Sequence, residues 1–563
     1  MERFWLKSYP PHVPADVDPQ QLRTLKELVD KACVTFADRV AYVQMGAELT
    51  YRRLDELTRA FAAWLQHCGF RKGDRIAIML PNTLQYPIAL FGALRAGLIV
   101  VNTNPLYTAP ELEHQLTDSG ATAIVVLENF AHVADKVLPR TSVKRVLVTA
   151  VGDLLGFPKS QIVNFVVRRV HKKVPAWNIP DAVRFKTALA QGAKLPLAPV
   201  NVGPDDLAFL QYTGGTTGVA KGAMLSHGNV ATNVLQAEAW LGGEFHDLAG
   251  VLITAIPLYH IFALSANCLL FMRLGWKNVL IVNPRDLPAF VAELKKHPFN
   301  YISGVNTLFN ALLHAPGFSE VDFSRLKVTL GGGMAVQAAV AQRWKEVTGC
   351  TLTQAWGLTE TSPAACINPN SEPFNGSIGL PISSTEVSIR DDPGNEVPLG
   401  QVGEICVRGP QVMRGYWNRP DETAKVMLLG GWLRTGDVGR MDQRGYVYIE
   451  DRKKDMILVS GFNVYPNEVE EVAAACPGVL EAAAVAQRDE HSGEVVALFV
   501  VRKDPALTEQ QVIACCRRSL AGYKVPKHVY FRTDLPKSNV GKILRKVLRE
   551  ELAKPPAASV HAS

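Results

Sequence analysis

Residues 75–105 read RIAIMLPNTLQYPIALFGALRAGLIVVNTNP. Arg75–Leu80 is a short apolar run closed by Pro81, the pattern of a buried strand. Tyr86–Gly97 is helix-like, and GLIVVNTNP reads as a second buried strand. Strand, helix and strand in that compass form a βαβ unit, whose strands run parallel and need cover on both faces. The same signals return in TAIVVL (122–127), DDLAFLQYT (205–213), VLITAIP (251–257), NVLIVN (278–283) and LKVTLGGG (326–333). The predicted fold class is therefore α/β, with a large N-terminal domain of parallel α/β sheets.

Further on the pattern changes. Residues 378–450 are rich in Gly, Val, Ile and turn signals (DDPGNE, EICVRG, DQRGYVYI), which predicts a small antiparallel sheet or barrel appended to the large domain. After DRKKD (451–455), the segments VYPNEVEEVAAAC and LTEQQVIACCRRSL predict a compact α+β unit. The expected boundaries are 1–451 for the large domain, 452–552 for a small mobile C-terminal lid and 553–563 for a disordered tail. A large and a small domain meeting at a short charged joint suggest a cleft closed by a moving lid.

The chain has 563 residues, 47% hydrophobic and 20% charged, which excludes wholesale disorder and a collagen-like repeat. A net charge of +7 is mild at this length and gives no reason to expect nucleic acid as a partner. Nine cysteines without Cys-x-x-Cys spacing argue for reduced thiols rather than a disulfide framework or a zinc site. The first residues, MERFWLKSYPP, lack the apolar core of a signal peptide. Leu248–Met272 is 25 residues without a formal charge, long enough to span a bilayer. Pro257, Tyr259, His260 and Asn267 divide it, so a buried strand at Gly250–Ile256, a loop at Pro257–His260 and a buried helix explain it more simply.

Four segments carry chemistry. In YTGGTTGVAKGAMLSH (212–227), Gly214, Gly215 and Gly218 let several N–H groups converge on an anion, while Thr213, Thr216, Thr217 and Lys221 add donors and charge. Ala220 and Gly222 around Lys221 rule out a Walker A loop. In TQAWGLTETSP (353–363), Trp356 offers a stacking face, Gly357 an open backbone, Thr359 a hydroxyl and Glu360 a hard ligand for Mg2+. A core aromatic and a surface acid would look the same. In Gly431–Glu470, Asp437 in a Gly-flanked turn could accept two ribose hydroxyls, and Arg452 could add a charge-assisted contact. In Leu535–Leu552, Lys542 stands just before a helix with Ile543, Leu544, Val547 and Leu548 on its apolar side.

In this order the four segments resemble the adenylate-forming superfamily, and longer stretches from about residue 5 to 550 resemble its bacterial long-chain fatty-acid–CoA ligases. The resemblance implies two half-reactions: a fatty acid carboxylate attacks Mg·ATP to give acyl-AMP and pyrophosphate, then coenzyme A displaces AMP. It implies phosphate contacts from Thr213–Gly218 and Lys221, and Mg2+ at Thr213 and Glu360. Gly331, Gly332 and Gly333 would wall the adenine from the acyl pocket, Gln354, Trp356, Gly357 and Thr359 would line the nucleotide site, and Asp437 and Arg452 would hold ribose. Lys542 would bridge carboxylate and α-phosphate, with His260 nearby as a second catalytic group or, equally, a core histidine. The lid would pivot at Lys454 and present Ser460 and Gly461 to coenzyme A. Two departures stand out: Trp356 replaces a common Tyr, and Leu264 stands where some relatives gate the tunnel with Trp.

Leu248–Met272 and Asn306–Leu313 are the expected acyl-tunnel linings. In Gln161–Pro175, Ile162, Phe165, Val166 and Arg169 share a helical face beside Arg168, Lys172 and Lys173. That segment suits peripheral contact with an anionic membrane as well as an ordinary surface helix. The expected location is cytoplasmic, on the inner face of the membrane, with homodimerisation left open. An acyl-AMP ligase serving a carrier protein, and a medium-chain or aryl acid–CoA ligase, stay as alternatives.

Overall fold

The structure, a computed structural model, describes residues 3–213, 219–246, 248–489 and 491–553. Gly214, Gly215, Thr216, Thr217 and Gly218, where phosphate contacts were expected, and nearly all of the expected tail lie outside them.

Two mainly parallel sheets build the large domain. One has nine strands, with Val251–Thr254 between Lys277–Leu280 and Tyr301–Gly304, followed outward by Val328–Gly331 and Leu352–Gly357. The other has seven, with Arg75–Met79 between Ala123–Leu127 and Ile99–Asn102, and Leu207–Thr213 beyond. Both carry antiparallel edges. Leu207–Thr213 and Lys221–Ser226 pair antiparallel, with Thr213 opposite Lys221.

Helix Gln85–Arg95 is buried at every position, as its lack of a polar stripe requires. Arg95, the one charge, is 2% exposed and is neutralised by Asp55 at 2.5 Å and Asp30 at 2.9 Å. The long uncharged stretch resolves as expected, into strand Val251–Thr254, a loop, and a helical run Ile261–Arg273 interrupted by a π turn. No helix among the described residues is long and apolar enough to cross a membrane.

The strands expected as a barrel form an antiparallel sheet of five: Glu386–Arg390, Gly403–Arg408 and Trp432–Met441, with Met427–Leu428 and Val447–Arg452 both on the last of these. Among the described residues no strand pairing closes it: the only strand paired with Glu386–Arg390 is Gly403–Arg408. The smaller domain has its own five-stranded sheet around Gly493–Arg502, with helices Pro466–Ala474 and Glu509–Arg517 over one apolar core. Helix Arg545–Ala553 closes a second core through Leu548. It begins later than the apolar spacing suggested, because Ile543 makes a bridge to Lys537 instead. One cysteine expectation is corrected: Cys476 and Cys515 are disulfide-bonded, their Cα atoms 6.1 Å apart, because packing of the two helices brings thiols 39 residues apart together.

Candidate active site

The two large sheets are joined by buried amides. Asn82 donates to the carbonyls of Thr254 and Ile256, both at 3.1 Å, and accepts from the Leu258 N–H at 2.8 Å. Tyr86 donates to the Leu258 carbonyl, and Gln211 to that of Tyr259, each at 2.8 Å. These bonds seat the loop Pro257–His260. Its last residue caps the helix behind it, with Nδ1 of His260 accepting from Phe262 N–H at 3.3 Å. Enclosure and the nearby Lys542 cation push the His260 pKa down to about 3. His260 is thus neutral at physiological pH and acts as a dipole, not a cation.

His260 opens onto a cleft of about 1790 Å3 between the sheets, the antiparallel sheet and the lid. Thr213, Lys221, Gly332, Gly333, Trp356 and Thr359 line it, together with Glu360, Asp437, Arg452, Lys454 and Lys542. The topology therefore gathers residues from four distant segments.

On the floor, Trp356 Nε1 donates to Asp437 Oδ2 at 2.9 Å, and Arg452 Nε stands 2.5 Å from Oδ1. Asp437 is fully buried, and burial raises its pKa although Arg452 and the indole N–H oppose this. Asp437 is not in a turn. It lies inside the strand Trp432–Met441, directly opposite Arg452. Register, not turn geometry, pairs the two residues. The bond to the Trp356 indole also explains why this position does not need a Tyr hydroxyl: the ring is tethered through nitrogen.

Along one wall, the Tyr416 hydroxyl donates to Glu360 Oε1 at 2.7 Å, and Lys221 lies over the Tyr416 ring while pairing with Glu422 at 2.5 Å. Tyr416 and Glu422 were not foreseen. Their signal is RGYWNRPDE (414–422), where an aromatic and an acid precede and open a short helix. An incoming polyphosphate would have to compete with Glu422 for Lys221.

Lys542 arrives from the lid. Ser538 Oγ accepts its N–H at 3.1 Å, and Thr307 of the large domain donates to the Gly541 carbonyl at 2.9 Å. Its side chain lies against Gly333, whose φ is +78° and where an added Cβ would sit 3.4 Å from Cε. Desolvation and Arg452 lower the Lys542 pKa to about 8, against the pull of Asp437 and Glu360.

Other expected residues have packing roles as well, or lie off the cleft. Both ends of the Gln354 carboxamide are committed to backbone, accepting from Val336 N–H and donating to the Ser377 carbonyl, each at 2.9 Å. Gly357 lines the cleft, and packing also requires a glycine there, because the Pro363 carbonyl would lie 1.8 Å from an added Cβ. Gly331 packs behind the wall against Leu352 and Val336. Ser460 and Gly461 form the exposed turn between Ile457–Val459 and Phe462–Val464, away from the cleft lining.

The apolar arm is lined by Phe262, Ala266 and Leu270 from the uncharged stretch, as expected, but also by Ala237, Trp240 and Leu241 of helix His227–Leu241. The segment Asn306–Leu313 gives the cleft only Asn306, Thr307 and Asn310. Phe309 and Leu312 turn into the core, and Asn310 donates to the Leu480 carbonyl of the lid.

Comparison with known proteins agrees with this layout. The model of the AMP-binding enzymes matches residues 29–417, and that of their C-terminal domain matches 468–542. The chain is 55% identical to the long-chain-fatty-acid–CoA ligase of Escherichia coli O6:H1 over 98% of each chain. This chain belongs to the AMP-binding enzymes, in the long-chain-fatty-acid–CoA ligase family. It is also 39% identical to the ligase of that name from Bacillus subtilis, over 98% of each. Among solved structures, MatB from Rhodopseudomonas palustris with ATP bound aligns with a TM-score of 0.79 at 28% identity, covering 93% of this chain and 98% of that one. The anthranilate CoA ligase AuaEII, in complex with anthranoyl-AMP, aligns with a TM-score of 0.84 at 23% identity, covering 95% and 99%, and supports the fold. The enzyme thus has its family's two domains, with the lid lysine inside the cleft.

Proposed function

We propose that this enzyme activates long-chain fatty acids with Mg·ATP and transfers the acyl group to coenzyme A. The observation that carries the reading is one cleft lined both by apolar side chains, among them Phe262, Ala266, Leu270, Ala237 and Trp240, and by the polar Thr213, Lys221, Glu360, Asp437 and Arg452, with Lys542 against Gly333 and near His260. In the first step the ammonium of Lys542 offsets repulsion between carboxylate and α-phosphate. Neutral His260 adds a dipole without competing for the carboxylate as a second cation. Asp437 accepts from the ribose, while Arg452 and Trp356 orient it and oppose the effect of its burial. Glu360 and the Thr213 hydroxyl are hard oxygen donors, few in number, and they fit Mg2+ that takes its other ligands from phosphate and water. Bound there, Mg2+ would neutralise phosphate charge; Tyr416 holds Glu360 in place for it.

For the second step the lid turns about Lys454, withdraws Lys542 and brings the Ser460–Gly461 turn to the cleft. Pyrophosphate release from the purified enzyme should depend on fatty acid and rise with chain length. Release equal for benzoate and palmitate removes the long-chain assignment. Replacing coenzyme A with a carrier protein in the thioester assay separates the carrier-loading reading.

We also read the surface around residue 165 as a membrane contact. Phe157, Ile162, Phe165 and Val170 are 87%, 58%, 61% and 61% exposed, beside Arg169, Lys172 and Lys173. Arg168 does not join them, because it makes two 2.8 Å bonds to the buried Glu128. A membrane-dissolved substrate gives this face a purpose. Changing Phe157, Ile162 and Phe165 to Ser should abolish sedimentation with anionic vesicles; unchanged sedimentation refutes the assignment.

A further inference from the structure

Arg545 lies three residues after Lys542, opens the helix Arg545–Ala553 and is held from several sides. Its Nε and Nη2 form a fork on Glu470, at 2.9 and 2.7 Å. Nη2 also donates to Asn467 Oδ1 at 2.6 Å, and Nη1 to Asp451 Oδ1 at 3.0 Å. Asp451, 1% exposed, accepts through Oδ2 from the N–H of Asn467 at 2.8 Å. One turn further along the helix, Arg549 pairs with Asp455 at 2.9 Å.

These partners differ in where they stand. Glu470 and Asn467 belong to lid helix Pro466–Ala474 and travel with Arg545 in any orientation of the lid. Asp451 is in the strand Val447–Arg452 of the large domain, just before the hinge. The Asp451–Arg545 contact therefore crosses the hinge, and it exists while Lys542 points into the cleft. A planar guanidinium can serve Glu470 and Asp451 together, which an ammonium cannot.

We propose that Arg545 is a positioning residue for the first half-reaction: its fork on Glu470 sets the register of the Lys542 loop, and its bond to Asp451 latches the lid in the orientation that seats Lys542. The latch opens when the lid turns for thioester formation. The inference rests on the two-step reading proposed above.

The test uses the full chain and two separate assays: pyrophosphate–ATP exchange for adenylation, and thioester formation from supplied acyl-AMP and coenzyme A. Asp451→Asn keeps the shape and leaves Arg545 paired with Glu470, so the lid core stays neutralised. Exchange should fall about tenfold, while thioester formation stays within about twofold. Arg545→Lys should show the same split, because one ammonium cannot span both carboxylates. Equal loss in the two assays would mark a merely structural role, and unchanged exchange would remove the latch; either result overturns the proposal. Lys542→Ala is the control. If it too fails to split the assays, the two-step reading fails; if it splits them and Asp451→Asn does not, the latch alone fails.

Discussion

Lys542 should make adenylation fail in alkali earlier than a lysine ordinarily would. Its enclosure in the cleft against Gly333, with Arg452 adding a like charge, brings its pKa down to about 8 from the usual 10.5. The protonated form is the one that offsets carboxylate–phosphate repulsion. With a pKa near 8, the cation makes up roughly 90% of the population at pH 7 and roughly 10% at pH 9, a fall of about tenfold. Initial rates of pyrophosphate–ATP exchange at limiting substrate, which report the free enzyme, should drop by that factor. At saturating ATP the bound phosphates favour the cation, so the fall should move to higher pH. Lys542→Arg, charged throughout the range, should give a slower but flat profile. A wild-type rate that stays level to pH 9.5, or an equal fall in the Arg variant, would refute the reasoning. Stability has its own sign. A folded pKa below the unfolded one means that the unfolded chain binds more protons between pH 8 and 10.5, so this group's penalty shrinks as pH rises through that window.

Lys542→Ala should cost adenylation at least about 100-fold, because the charge between two anions is lost in the transition state, yet it should spare thioester formation from acyl-AMP. Trp356→Phe keeps an aromatic face but removes the indole donor to Asp437, so the KM for ATP should rise about tenfold with a smaller change in kcat, as measured by steady-state kinetics. Ala237→Phe fills the apolar arm, and a chain-length scan should shift toward shorter acids, with about 0.8 kcal/mol of binding lost for each displaced methylene. Glu360→Gln should raise the magnesium concentration needed for half-maximal exchange, since a carboxylate ligand is replaced by a neutral amide.

The alternation of apolar strands and helices from Arg75 to Gly333 was enough to read a parallel α/β architecture, because each local period reports which faces are covered. The joint at 451–455 likewise marked two domains, whereas the expected anion loop falls largely on residues outside the described ones. These signals are local in the chain. Contacts between distant segments left no such trace. Asp437 looked like a turn residue because its flanking glycines suggest one; a strand register placed it opposite Arg452 in the cleft lining. Gln354 lines the cleft as expected, but that its carboxamide also braces backbone was not visible in the sequence. Asn306–Leu313 looked like an acyl lining because it is apolar, but packing turned Phe309 and Leu312 inward and left Ala237 and Trp240 to shape the arm. Nor could spacing pair Cys476 with Cys515 or Arg545 with Asp451. Residue type and period state what a segment can do, while direction and partner depend on how sheets and lid close on one another. In this enzyme the chemistry was therefore written in short motifs, and the orientation of each functional side chain was decided by tertiary packing.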